Sequence, residues 1–516
     1  MLLTACWRDA SSSLTVRMPD PRTLAVTDSL QGLTGPQRDS LHHMSEGDEF
    51  IPVAWLVALE NPATGKLFLD DVERFGMLRD PADPYGLPIG LSASEPRDVG
   101  ELAGKMVGFS CAVCHTGHLT YRGTPFLIEG GSGTVDAEGF ERELMAAMDS
   151  LKHPSRFAAW LTRVREVRAS GDTGLKAQLP SFDEFAKLFP KLKARLASFG
   201  AVRDLLEHTE RTPSGYGRID AFGTGRNLLF PDSKVPLTAP VRYPVTYDAY
   251  RHTWLHWDAN TNSIIERNIG QAIAAGAIVD PVTKHSSLLP MNHYALEELS
   301  ARIVPPRWPV AIFGAIDTVL AAEGRALYQQ QCVACHALRA GTDTERDTLI
   351  SYKDVGTDPQ RATSAAIPLK GGGLYPVVAG EFLRVVKDTA FRQSGIDAAQ
   401  QAKLEGNRAR SEWRVTQSYA ARPLTAIWSH PPFLHNGSVP TLHDLLLPPS
   451  QRPATFTLGH HEFDPVKVGL AATGPMRGPP FTFDTGLTGN SNAGHLWGTT
   501  LSDAQRKALL EYLKTL

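Results

Sequence analysis

Four of the five cysteines in this chain sit in one pentapeptide pattern written twice: Cys111-Ala112-Val113-Cys114-His115 and Cys332-Val333-Ala334-Cys335-His336. At this chain's own Cys and His frequencies, a C-x-x-C-H is expected by chance on the order of 0.002 times. The pattern is the attachment signature of c-type haem: two thiols add to the haem vinyl groups and the adjacent imidazole ligates the iron. A thioredoxin-type pair does not need a His directly afterwards, twice. A four-ligand zinc site would have to draw its halves from distant parts of the chain, which only folding can join. The sequence therefore predicts two covalently bound haem c groups. Cys111, Cys114, Cys332 and Cys335 are the attachment residues, with His115 and His336 as proximal iron ligands.

Covalent haem attachment places maturation outside the cytoplasm, so the chain is expected in the periplasm or extracellular space. The stretch Met1 to Asp20 lacks a positive n-region and a full apolar h-region. It does hold Leu3-Thr4-Ala5-Cys6, which resembles a bacterial lipobox with the modified cysteine at Cys6. This reading accounts for the one cysteine outside the haem motifs. It implies a lipoprotein whose signal is represented only by its end. The plain alternative is an incidental cysteine near a frayed terminus.

With 516 residues, two to three domains are expected. The formal charge of -3 argues against a nucleic-acid binder or a polybasic membrane protein. No run of eighteen apolar residues occurs, which leaves a lipid at Cys6 as the expected route to a membrane. Gly and Pro are abundant (44 and 37), so long loops should separate the helices. The expected fold is mainly α with long loops and little β structure: two c-type cytochrome-like haem domains with insertions. Residues 1–40 read as a flexible segment, 41–310 as the N-terminal haem domain and 311–516 as the C-terminal cytochrome c domain. The proline-dense stretch Pro305-Pro306 to Pro309 marks the boundary.

Within the first unit, Trp55, Leu56 and Leu59 stand at helical spacing, Tyr121 to Ile128 reads as strand and turn, and Phe140 to Met148 as a helix. Pro154–Val202 holds two further helical stretches. Within the second, a helix over Asp317 to Gln331 leads into the haem motif, and a last helix opens at Ser502-Asp503. In c-type cytochromes these two helices cross at a small residue, and Gly324 against Leu509 or Tyr512 is the natural crossing. The residues between them read mostly as Gly/Pro-punctuated loop.

Several stretches carry a family resemblance: His43-Met44-Ser45-Glu46-Gly47, Gly86-Leu87-Pro88-Ile89-Gly90-Leu91, Arg218 to Gly223, His256 to Ser263, Arg422 to Trp428, Pro432 to Leu442, and Gly489-Asn490-Ser491-Asn492-Ala493-Gly494-His495. The chain resembles the di-haem cytochrome c peroxidase superfamily and, more narrowly, its di-haem rubber oxygenase-like branch. That resemblance implies a C-terminal haem with two His ligands, the second lying shortly before the last helix, where His495 stands. Met476, His460 and His461 compete for the position, and a helix-capping or surface imidazole is the ordinary role for His495. The N-terminal haem would keep an open face for dioxygen, making His115 the ligand of the catalytic iron. His252, Trp254, His256 and Trp257 either line that pocket or form interdomain core, the more frequent role of a Trp-rich stripe. His118 reads as a propionate partner or a solvated loop imidazole. Arg218 and Asp220 read as propionate partners or a buried ion pair.

The expected function is a haem-dependent oxidoreductase. One form activates dioxygen against an apolar unsaturated substrate, with the second haem in electron transfer to a redox partner protein. The alternatives are a hydrogen peroxide reductase and a non-catalytic electron carrier.

Overall fold

The computed structural model describes residues 25–26, 29–95, 104–175, 179–195, 209–280, 282–337, 348–405 and 411–516. The proposed lipobox at Cys6 lies outside these. The fold is mainly helical, with loops and small sheets.

The helices that position the motifs are α1 (Gly35–His43), α2 (Val53–Val57), α3 (Ala112–His115), α4 (Ala137–Ser150), α5 (Pro154–Ala169) and α6 (Phe182–Arg195). They continue with α7 (Ala221–Leu229), α8 (Ile264–Ala274), α9 (Pro290–Ser300), α10 (Thr318–Gln331), α11 (Val333–His336), α12 (Tyr375–Gln393) and α13 (Asp503–Leu513). Strand β1 (Leu91–Ser94) pairs antiparallel with β2 (Met106–Phe109), and β3 (Thr116–Tyr121) with β4 (Thr124–Glu129). Both pentapeptides are thus single helical turns. The first is clasped between β2 and the β3–β4 hairpin, and the second is the end of the long helix α10.

Local chemistry sets the ends of these elements. Thr34 and Gln37 form a capping box at α1, and Ser502 and Gln505 form another at α13. Asp317 caps α10 by accepting from Val319 and Leu320. Residues 29–40, expected within a flexible segment, are instead folded: Leu33 is buried and Gln31 bonds the backbone of Glu129. Their polar composition hid the fact that one buried amide and one leucine anchor the stretch.

Helices α10 and α13 cross at Gly324. A Cβ there would stand 2.0 Å from the Ala508 carbonyl oxygen and 2.9 Å from Tyr512 Cβ. Two backbones approach that closely only where no side chain intervenes.

The largest buried cluster packs α2, α4, α5 and α6 around Trp55 and Trp160, whose rings meet edge to face at 5.1 Å. A second cluster joins Leu119 and Ile128 to Trp428, Phe463, Leu509 and Leu513. A third lays α12 on α8 through Ile265, Ile269, Leu383 and Val386. The expected boundary near residue 310 is therefore not a break in packing, since two of these cores draw on both sides of it. Helix α12 also departs from the expected loop. Pro376 stands at its N-terminal turn, where a missing N–H costs nothing, so the proline opens a helix there.

Candidate functional site

Each pentapeptide histidine is oriented in the same way. His115 donates its Nδ1–H to the Pro244 carbonyl at 2.9 Å, and His336 donates its own to the Arg422 carbonyl at 2.6 Å. With Nδ1 carrying the proton, Nε2 keeps its lone pair for a metal. Burial pushes His115 down to about 4 and lowers His336 too, so both imidazoles are neutral.

The second motif opens on a cavity of about 270 Å³. Cys332, Cys335 and His336 line it, together with His495, Leu509 and Leu513. The rings of His336 and His495 lie 6.4 Å apart, centre to centre. Two opposed metal–imidazole bonds of about 2 Å, plus roughly 1.1 Å from each nitrogen to its ring centre, give about 6 Å. The pair therefore fits a metal held between two imidazoles. Burial, then the proximity of His336, pushes His495 down to about 4. Its Nδ1 is buried without a hydrogen-bond partner.

The other candidates for that position lie elsewhere. Met476 lies against Gly459 and is partly exposed, and His461 packs its ring on His118 at 4.0 Å. His460 is buried and does not line the cavity. His118 is buried in β3 and paired with Thr134 Oγ1 at 2.9 Å, so it is not the solvated loop imidazole expected. His252, His256 and Trp257 do reach the cavity, but on the side of the second motif. Trp254 stacks beneath Arg414 at 3.3 Å.

The loop carrying His495 is built rigidly. His495 has φ 46 and its N–H bonds the Val355 carbonyl at 2.8 Å. A Cβ on Gly494 would stand 2.2 Å from the Gly356 carbonyl carbon, so only glycine permits the approach. Arg452, which the sequence reading passed over, donates to five backbone carbonyls: Leu445, Leu447, Asn492, Gly494 and His495. Arg218 and Asp220 do not pair with one another. Arg218 bonds Asn490 Oδ1 and the Asn436 carbonyl, and Asp220 caps α7. Asn436 in turn holds the carbonyls of Gly489 and Ser491.

At the first motif the thiols and His115 sit deep inside the protein yet keep accessible surface, as side chains lining an internal space do. The adjoining space measured beside Cys111 and His115 is small, about 10 Å³, and Arg267 lines both it and the larger cavity. Gly90 and Gly133 let neighbouring backbone press on Val113 and Cys114. Cys111 donates to Glu46 Oε1 at 2.9 Å. Burial pushes Glu46 up to about 7, against the opposing pull of the Cys111 hydrogen bond and Arg267.

Burial also holds the thiols protonated, Cys114 up to about 12 and Cys332 up to about 11. Buried sulfur of this kind is a poor redox nucleophile and suits the neutral thioethers of haem c. The donor set thus fits haem c at the second motif, where Cys332 and Cys335 would attach it and His336 and His495 would ligate its iron.

Residues 418–457 match a family described as RoxA-like, cytochrome c-like. That segment supplies Arg422, the cavity wall from Tyr419 to Leu446, and Arg452. The match implies a haem c cytochrome and, with it, an oxidoreductase function. The uncharacterized protein y4iJ of Sinorhizobium fredii is 32% identical over 97% of this chain and 95% of its own length. The uncharacterized protein y4iM of the same organism is 27% identical over 57% of this chain and 70% of its own.

Proposed function

The chain belongs to the family of the uncharacterized protein y4iJ of Sinorhizobium fredii, and we propose that it is an exported di-haem c-type cytochrome oxidoreductase, oxygenase-like in its chemistry. The observation that carries the reading is the His336–His495 pair, set 6.4 Å apart in a cavity walled by the cytochrome c-like segment. In this reading Cys111 and Cys114 hold the first haem with His115 as its ligand, and Cys332, Cys335, His336 and His495 hold the second. When bound, haem iron supplies a centre that takes up dioxygen or peroxide and passes single electrons.

The chain's own residues divide the work. Pro244 and Arg422 hold the proximal imidazoles in the ligating tautomer through their carbonyls. Arg452 and Asn436 fix the His495 loop, so that His336 and His495 would together hold the second iron, the ligand set of an electron-transfer haem. Pro244, Val245 and Trp257 stand between the two motifs along the wall of the larger cavity, a packed route for electrons. Export to the periplasm or beyond, with a lipid on Cys6, follows from haem attachment and the lipobox-like start.

A second reading, hydrogen peroxide reductase, draws on one specific observation. Glu46 is a buried carboxyl beside the first motif, pushed up to about 7, the range of an acid–base group for O–O cleavage.

The decisive experiment is an EPR and optical spectrum of the holoprotein with and without imidazole. One haem shifting while the other stays fixed is the expected result. Two unresponsive low-spin haems, also after reduction and carbon monoxide, would replace the enzyme reading with an electron carrier.

A further inference from the structure

Behind the first pentapeptide, at the end of α1, three side chains converge that none of the haem chemistry uses. His42 Nδ1, His43 Nε2 and an Asp80 oxygen lie within 4.8 Å of one another. Asp80 Oδ2 stands 3.8 Å from His42 Nδ1 and 3.1 Å from His43 Nε2. The other nitrogen of each ring is already committed. His42 Nε2–H is shared between both oxygens of Glu129, at 2.9 and 3.0 Å, and His43 Nδ1–H goes to the Leu91 carbonyl at 2.7 Å. Asp80 is held from behind as well, its Oδ1 accepting from the Ala82 N–H at 2.8 Å.

The remaining ring nitrogens, His42 Nδ1 and His43 Nε2, both face Asp80 Oδ2, and of the two only His43 Nε2 is within hydrogen-bond distance of it. A carbonyl and a carboxylate only accept, so the ring protons belong on His42 Nε2 and His43 Nδ1. His42 Nδ1 is buried, with His42 1% exposed, and has no hydrogen-bond partner. Beside a buried carboxylate such a nitrogen calls for a cation, either a proton or a metal ion. Asp80, Asp83 and Glu129 gather here against Arg38; against the opposing pull of burial, the charge of Glu129 and the hydrogen bonds to Asp80 and Glu129 raise His42 to about 9, so a proton holds this place until a metal ion displaces it.

We propose that His42, His43 and Asp80 form a binding site for a divalent first-row metal ion, zinc in the first instance, with Glu129 and the Leu91 carbonyl as its outer supports. Tetrahedral ligands at about 2.0–2.1 Å stand roughly 3.3 Å apart, and the spacings of 3.1 and 3.8 Å bracket that value. Two imidazoles and one carboxylate select zinc-like ions over calcium or magnesium, which take oxygen donors. Water completes the shell. The carboxylate–imidazole–metal relay through Glu129 is the arrangement that orients metal-bound histidines. The ion would tie α1 to the Asp80 loop and to β1. Ser110, which precedes Cys111, donates to the His42 carbonyl at 2.5 Å, so the clip also sets where the first pentapeptide begins.

The test uses the holoprotein. It is incubated with zinc chloride and desalted, retained zinc and iron are measured by mass spectrometry, and the zinc K-edge absorption spectrum is recorded. One zinc per chain is expected, with nitrogen and oxygen neighbours at about 2.0–2.1 Å. Retained zinc should fall at least about tenfold in Asp80→Asn and His43→Gln, and affinity about 10- to 100-fold in Glu129→Gln. No retained zinc, or zinc undiminished in the variants, overturns the proposal and leaves His42 holding a proton between Glu129 and Asp80. Sulfur at about 2.3 Å overturns it as well, and separately shows zinc in the C-x-x-C pairs where haem should be. The wild-type spectrum decides even if a variant fails to fold.

Discussion

His495 holds a left-handed backbone, φ 46, because Gly494 and Arg452 leave it no other course. Its replacement by Ala should convert the second haem from low-spin to high-spin without unfolding the chain, read by EPR. Removing Arg452 is the harsher change. Arg452→Met strands five carbonyls at a half-buried place and should cost at least about 2–3 kcal/mol, measured by denaturant unfolding. Glu46 adds a pH signature. Its folded pKa, raised from 4.5 to about 7, means the native protein keeps a proton the unfolded chain has released between those values. Stability from this group is full below pH about 4.5 and is lost as pH rises to about 7, by roughly 3 kcal/mol at most. Glu46→Gln should flatten that stretch of the stability–pH curve. The motif residues were legible because their chemistry demands adjacent, typed side chains. Arg452 was not, because an arginine that serves backbone carbonyls leaves no pattern around itself.

Between elements, the α10–α13 crossing is the most exacting contact. Gly324→Ala places a methyl group 2.0 Å from the Ala508 carbonyl oxygen, and the helices must part. Overpacking of this kind costs typically about 1–3 kcal/mol. Because Leu509 and Leu513 line the cavity, the variant should also shift the Soret spectrum of the second haem alongside the thermal midpoint. This crossing could be read in advance: Asp317 and Ser502 announce the helices and Gly324 the close approach. Helix α12 could not. Its glycines at 371–373 and Pro376 look like loop until the proline is seen at the helix's first turn. Only the buried face of α8 explains why that segment is helical, through Leu383 and Val386 against Ile265 and Ile269.

For the whole molecule, the two cytochrome-like halves of the sequence are not two packing units. A fragment spanning residues 311–516 would expose Leu383, Val386 and Phe391 and lose Leu119 and Ile128 from the core around Trp428. Expressed alone, it should give a broad, weakly cooperative thermal transition by circular dichroism, whereas the full chain melts sharply. Sequence reading favours cutting a chain where prolines cluster, because local signals show where elements end. They carry no record of which distant faces later meet.

Helix α13 walls one side of the cavity around Cys332 and Cys335. That wall includes Leu509 and Leu513, at the far end of the chain. On the proposed reading, both thiols must meet their cofactor before α13 docks against α10. A chain that folded before receiving that cofactor would shut its own door.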